Sequence, residues 1–209
     1  VSRSIGGGNF ERAAEIAGQS LVFSLIIALG LSAVGLLFYD RIVSLAGFPE
    51  AIRTVAGHFL RIFALALGPN YILIISNAVF RGSGEVKKPL VTMLLVSVLN
   101  MAGDFVLVFG LFSLPRMGYT GIAVSTALSV TVGMAVNLFF LAKSRWKQAF
   151  HGYWRISLET IRKIAGLSWP AAMLQIAWNA GTIVLYNILG RLGSESIPAL
   201  ASTTNGLRI

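Results

Sequence analysis

Long apolar runs separated by short polar segments dominate the chain. Five of these runs are long enough to cross a bilayer core of about 30 Å as helices, because a helix rises about 1.5 Å per residue. They cover residues 21–38, 52–80, 89–112, 121–142 and 164–189, and a sixth run begins at residue 197. The pattern predicts an all-α fold, a polytopic transmembrane helical bundle. We also expect the sequence to be a piece of a longer chain.

The third run contains an acid with long apolar flanks on both sides, Asp104. Ser97, Asn100 and Asp104 follow the i, i+3, i+7 spacing, so they share one helix face. A carboxylate at the centre of a bilayer costs about 2.5–3.5 kcal/mol on insertion scales, so it needs a cavity, a partner or a proton. Asp104 is therefore either a functional site on an ion or substrate path, which we favour, or an aspartate fixed by interhelical hydrogen bonds.

The second run contains Pro69, with Gly68 before it. Proline removes a backbone donor and clashes with the preceding turn, so we expect a kink at this point. Asn70 and Asn77 are seven positions apart and share a face. Asn77 either lines the same cavity as Asp104 or joins helices through hydrogen bonds. Pro69, Asn70 and Ser97 are our candidates for the pocket wall or the kink.

The fourth run carries small residues at every fourth position: Gly121, Ser125, Ser129 and Gly133, followed by Asn137. Such a stripe lets a neighbouring helix approach closely. We interpret it as a packing surface rather than a chemical site.

Charge refines this prediction. Only 12% of the 209 residues are charged, against about 25% in soluble domains. The net charge of +9 does not indicate nucleic-acid binding, because most of the 17 Lys and Arg residues lie in loops on one side of the predicted spans. The positive-inside rule makes that side cytoplasmic, including the linker 143–163, where Trp146, Tyr153 and Trp154 are expected at headgroup depth. The third span then runs outward and places Asp104 in its outer half.

Candidates for enzyme chemistry are absent from the sequence. Cysteine is missing and the two histidines are far apart. Without clustered acids these residues offer neither a nucleophile–base pair nor a metal set. We therefore expect no enzyme activity, no metal site and no cofactor.

Several short motifs, in this order and with these spacings, resemble the multidrug and toxic compound extrusion (MATE) transporters. They are Ser2-Arg3-Ser4-Ile5-Gly6, Asn9-Phe10-Glu11-Arg12-Ala13, Phe80-Arg81-Gly82-Ser83-Gly84, Asn100-Met101-Ala102-Gly103-Asp104, residues 118–126 and Gly166-Leu167-Ser168-Trp169-Pro170-Ala171. The resemblance implies a twelve-helix, two-lobed, multi-pass protein of the cell inner membrane. Residues 1–142 would form helices 3–6 of the N-terminal lobe, residues 143–163 the cytoplasmic inter-lobe linker, and residues 164–209 helix 7 and part of helix 8.

The DinF-like branch of the family is similar in having an asparagine and an aspartate four apart on helix five and an asparagine on helix four. That pattern assigns Asn100, Asp104 and Asn77 to a cation-coupling pocket. The partner acid expected on helix one is not in this chain. The glutamate that the NorM-like branch carries on helix seven falls at Trp178, which favours the DinF-like branch.

The resemblance implies an antiporter that exports organic, often cationic, compounds by alternating access. Its partners would be these small molecules, membrane lipid and a coupling cation, with H⁺ favoured over Na⁺. One alternative is a lipid-linked saccharide flippase of the same superfamily, but in the span interiors, between the helix ends, only Arg61 supplies a base for a pyrophosphate, and it lies near one end. A second alternative is an inert, truncated membrane fragment.

Overall fold

The computed structural model describes residues 1–45, 50–150 and 157–192, and these ranges contain helices and no strand. The prediction of an all-α fold is confirmed. The helices are α1 Ser2–Gly6, α2 Phe10–Leu37, α3 Tyr39–Leu45, α4 Glu50–Gly82, α5 Lys87–Phe109, α6 Tyr119–Lys143, a 3₁₀ helix Arg145–Phe150, and α7 Leu158–Leu192. The chain divides into two compact units, of which the first is Val1–Ile161 and the second begins at Arg162.

Four of the described helices are long and apolar enough to cross a membrane: α2, α4 from Ile52 onward, α5 and α6. They correspond to the first four predicted spans. The fifth predicted span is helical as part of α7 but is not among the four, and Gln175 and Asn179 interrupt its apolar sequence. The sixth, from residue 197, lies outside the described residues. The division into lobe, linker and second lobe stays a prediction.

Local chemistry sets the ends of these helices. Asn9 caps α2, because its side-chain oxygen accepts a hydrogen bond from the Arg12 backbone N–H at 2.8 Å. Helix α5 ends at Phe109 and is capped by Gly110, whose φ of +71° is in the left-handed region that favours glycine. The third apolar run therefore leaves the helix three residues before its predicted end at Phe112. Helix α4 continues through Pro69 to Gly82.

In the first unit, α4 packs against both α2 and α6, and α5 packs against α6. The small-residue stripe of α6 forms its side of the contact with α5. The four small residues and Asn137, which follows them, are all buried. A Cβ at Gly121 would lie 2.9 Å from the backbone carbon of Leu107, so only glycine allows the observed approach of α5. The predicted packing surface is confirmed.

The largest fully buried side chain described is Trp146, in the 3₁₀ helix that follows α6. Its ring contacts Phe10 of α2 with a centroid distance of 4.9 Å, and its indole N–H donates to Glu85 at 3.0 Å. The ring is therefore buried within the protein, in a 3₁₀ helix that packs against α2 and α6, and its predicted headgroup depth stays a prediction. Tyr153 and Trp154, of which the same was expected, lie outside the described residues.

Candidate functional site

The contact between α5 and α6 brings hydroxyl groups against the turn of α5 that precedes Asp104. The Asn100 side-chain N–H donates to Thr126 Oγ1 at 3.0 Å, and the Ser125 hydroxyl donates to the Asn100 carbonyl oxygen at 2.8 Å. A Cβ at Gly103 would lie 2.5 Å from Ser125 Oγ. The absence of a side chain at Gly103 thus lets α6 hold Asn100 in a defined orientation.

Asp104 lies one turn beyond Asn100 and is half-buried. Its Oδ1 atom is buried and has no hydrogen-bond partner within the described residues. Burying a polar atom without a partner costs roughly 1–3 kcal/mol, and more when the group is charged. A group that donates a hydrogen bond or carries positive charge would remove this cost.

A small cavity of about 80 Å³ lies between α4 and α6. Asn70 and Phe63 of α4 line it from one side, and Thr126 lines it from the other. Thr126, which accepts the hydrogen bond from Asn100, therefore lines the same cavity as Asn70. Pro69 is half-buried beside Asn70. We name Asp104, Asn100, Thr126 and Asn70 the Asp104 site.

Sequence reasoning missed Thr126. It directly follows Ser125 of the α6 stripe, so it lies on the neighbouring face of the same helix. The only available signal was a second hydroxyl beside the stripe, and that signal alone does not distinguish a packing residue from a site residue.

Asn77 has different neighbours from the other candidates. Its side-chain oxygen accepts a hydrogen bond from Asn137 at 2.9 Å, and its N–H donates to Met93 Sδ at 3.3 Å. Three turns of α5 separate Met93 from Asp104, which is about 16 Å along the axis. The structure therefore gives Asn77 the contacts of an interhelical hydrogen-bonding residue. Its assignment to the cation pocket stays a prediction.

Asn137 is the centre of this second group. It accepts from Thr92 at 2.7 Å and donates to Ser76 at 2.8 Å, and all of these side chains are at most 3% exposed. We name Ser76, Asn77, Thr92 and Asn137 the Asn137 network. Ser97, predicted on the pocket wall, is exposed in the first unit.

Four membrane-length helices and a carboxylate inside one of them define a polytopic membrane protein. The MatE family model matches residues 1–106, just over half of the chain, so the chain belongs to the MatE family. The assignment to its DinF-like branch stays a prediction.

Relatives of known name agree with this family. The probable multidrug resistance protein YoeA of Bacillus subtilis is 26% identical over 95% of this chain and 44% of its own length. The FAD transporter of Shewanella oneidensis is 24% identical over 98% of this chain and 45% of its own length. The chain thus spans under half the length of these relatives. They are named as a resistance protein and a transporter, in agreement with the prediction that the chain is not part of an enzyme.

A solved structure supports the fold. The inward-facing conformation of a multidrug resistance MATE family transporter of the MOP superfamily matches with a TM-score of 0.72 and 23% identity. The match covers 81% of this chain and 38% of that one.

Proposed function

We propose that the protein containing this chain exports organic compounds as a cation-coupled antiporter of the cell inner membrane, with residues 143–163 in the cytoplasm. Membership of the MatE family supports the transport activity. The names of two relatives, one for multidrug resistance and one for FAD, support small organic molecules as the class of substrate.

The observation that carries the coupling proposal is the buried Oδ1 of Asp104, which has no hydrogen-bond partner in the described part of the chain. A bound proton or cation stabilises this carboxylate in an apolar helix, and its release leaves a charge that a cationic substrate stabilises instead. Exchange follows if the proton and the substrate cannot both occupy the site. Asn100, held by Thr126 at 3.0 Å, keeps its amide side chain one helical turn from the carboxylate.

The test is substrate efflux from vesicles that contain the complete protein, driven by a pH gradient or by a sodium gradient, each imposed separately. We expect Asp104→Asn to lower coupled efflux by at least about tenfold, since Asn has the shape of Asp but cannot exchange a proton at neutral pH. The matched control is Glu11→Gln, an exposed acid in the first turn of α2, which should leave efflux unchanged.

The two gradients distinguish the coupling ion. Efflux driven by the pH gradient alone, and lost in Asp104→Asn, supports proton antiport. Efflux driven by sodium alone keeps Asp104 as the coupling group but changes the ion. Wild-type rates in correctly inserted Asp104→Asn protein would disprove the role of this carboxylate.

A further inference from the structure

A second cavity, of about 370 Å³, lies far from Asp104 along the chain, between α3 and the first turns of α4. It lies where two membrane-length helices end, because α2 ends at Leu37 and the membrane-length part of α4 begins at Ile52. Leu37 is itself 76% exposed. The cavity therefore lies at the level where apolar protein surface gives way to polar surface.

Helix α3 forms one wall of this cavity. Tyr39, Asp40, Val43 and Ser44 line it, whereas Arg41, Ile42 and Leu45 are exposed and do not line it. A short helix that exposes large apolar side chains beside a basic one is typical of segments that lie in the membrane interface. The polar wall is thus positioned at the depth of phospholipid headgroups.

Helix α4 supplies the basic wall. Arg53 and Arg61 are eight positions apart on one face and both line the cavity, together with His58. The Arg61 guanidinium lies over the Tyr39 ring, 3.6 Å from its centroid, which fixes the position of its charge. No carboxylate of the described residues pairs with Arg61. Guanidinium groups bind phosphate oxygens through paired N–H donors.

Asp40 lines the same cavity and has no ion pair within the described residues. A carboxylate disfavours a lone phosphate but stabilises an ammonium group nearby. The cavity thus presents both signs of charge, which complements a headgroup that also carries both.

We propose that this cavity binds the headgroup of an aminophospholipid such as phosphatidylethanolamine. The phosphate lies against Arg61, the ammonium group lies against Asp40, and the acyl chains follow the exposed apolar side chains of Leu37 and Leu45. The proposal depends on the membrane location of the chain and not on antiport.

The test is lipid retention by the complete protein, measured by native mass spectrometry after release from nanodiscs. The nanodiscs contain equal amounts of phosphatidylethanolamine, phosphatidylglycerol and phosphatidylcholine. We expect preferential retention of phosphatidylethanolamine, which Arg61→Gln lowers about tenfold, equivalent to about 1.4 kcal/mol. Arg61→Lys keeps the charge but not the planar guanidinium, so it should keep part of the preference for phosphatidylethanolamine. This variant shows whether the loss in Arg61→Gln reflects a folding defect.

Two variants test the assignment of each group. Arg41→Gln is the matched control, because Arg41 is an exposed base of α3 that does not line the cavity, and it should retain lipid like the wild type. Asp40→Asn should make the retained amounts of phosphatidylethanolamine and phosphatidylglycerol equal. Equal losses in Arg41→Gln and Arg61→Gln would overturn the site, and a wild-type preference for phosphatidylglycerol would overturn the role of Asp40.

A water-soluble arm separates a lipid from a free anion. Inorganic phosphate and glycerophosphoethanolamine are titrated against the detergent-solubilised protein, with the lipid as competitor. We expect both to bind more weakly than the lipid, because they lack acyl chains. Binding of inorganic phosphate as tight as that of the lipid would overturn the lipid proposal. Efflux is also measured on the same variants, so that failure of the lipid proposal can be told apart from failure of the antiport proposal.

Discussion

Two polar regions lie along the same three helices, α4, α5 and α6, and they differ in how completely their polar atoms are paired. In the Asn137 network, Asn137 bonds to Thr92, Ser76 and Asn77, and none of these side chains is more than 3% exposed. At the Asp104 site, Asn100 has one side-chain hydrogen bond and Asp104 Oδ1 has none among the described residues.

The difference indicates a division of roles within one seam. A buried polar network whose members are all paired makes the packing of helices specific and leaves no group for a ligand. A buried oxygen without a partner is costly unless something else supplies the donor. We therefore interpret the first region as structural and the second as the region available to a proton, cation or substrate.

The largest effect on stability is expected from Asn137→Leu. The substitution removes the amide to which Thr92, Ser76 and Asn77 are bonded. Side-chain hydrogen bonds between membrane helices contribute about 0.6 kcal/mol on average, so three of them amount to about 2 kcal/mol. The measurement is the free energy of unfolding of the complete protein in mixed detergent micelles.

The control for Asn137→Leu is Thr131→Val on the same helix, since Thr131 is exposed and its hydroxyl bonds only to the Ala127 carbonyl of its own helix. We expect the Asn137→Leu protein that remains folded to keep its dependence on the ion gradient. Loss of that dependence at full stability would contradict the division of roles.

A smaller, crossed pattern is expected from two alanine substitutions. Asn77→Ala removes two interhelical contacts and should lower stability by about 1 kcal/mol while leaving ion coupling intact. Asn100→Ala removes one interhelical hydrogen bond and should lower stability by about 0.6 kcal/mol, but it should lower coupled efflux several-fold. Unfolding and gradient-driven efflux are measured on both proteins.

The opposite pattern would be equally informative. If Asn77→Ala abolishes ion coupling without loss of stability, Asn77 belongs with Asp104, as the resemblance to the DinF-like branch implies. The contacts with Asn137 and Met93 would then describe one conformation of a residue that moves during transport.

The sequence predicted much of this fold because helix length and the spacing of small residues are properties of one segment. The four spans and the α6 stripe from Gly121 to Asn137 follow from such local patterns. Whether Asn77 faces Asp104 or Asn137 depends on the register of α4 against α5 and α6, which no single helix encodes. The burial of Trp146 depends on a 3₁₀ helix that folds back onto α2, and no periodicity predicts that contact.

The smallest effect concerns a carboxylate that has partners, whereas Asp104 Oδ1 has none among the described residues. Glu85 lies in the turn between α4 and α5, where Lys88 pairs with it and the Trp146 N–H donates to it at 3.0 Å. Burial raises the pKa of Glu85, but hydrogen bonds from Lys88 and Trp146 and the charges of Lys88 and Arg145 outweigh it, so the pKa is lower than usual. The ionised form is thus favoured by the fold.

A lowered pKa has a defined consequence for stability. The contribution of Glu85 is complete above its unfolded pKa of about 4.3 and is lost as the pH falls through the lower folded value. In melting curves of the complete protein, the wild type should therefore lose more stability than Glu85→Gln as the pH falls below about 4.3, whereas Glu11→Gln, an exposed acid, should follow the wild type. Parallel curves for wild type and Glu85→Gln would show that the partners of Glu85 do not favour its ionised form. That result would weaken the argument that Asp104, whose Oδ1 has no partner among the described residues, is available to a proton or cation.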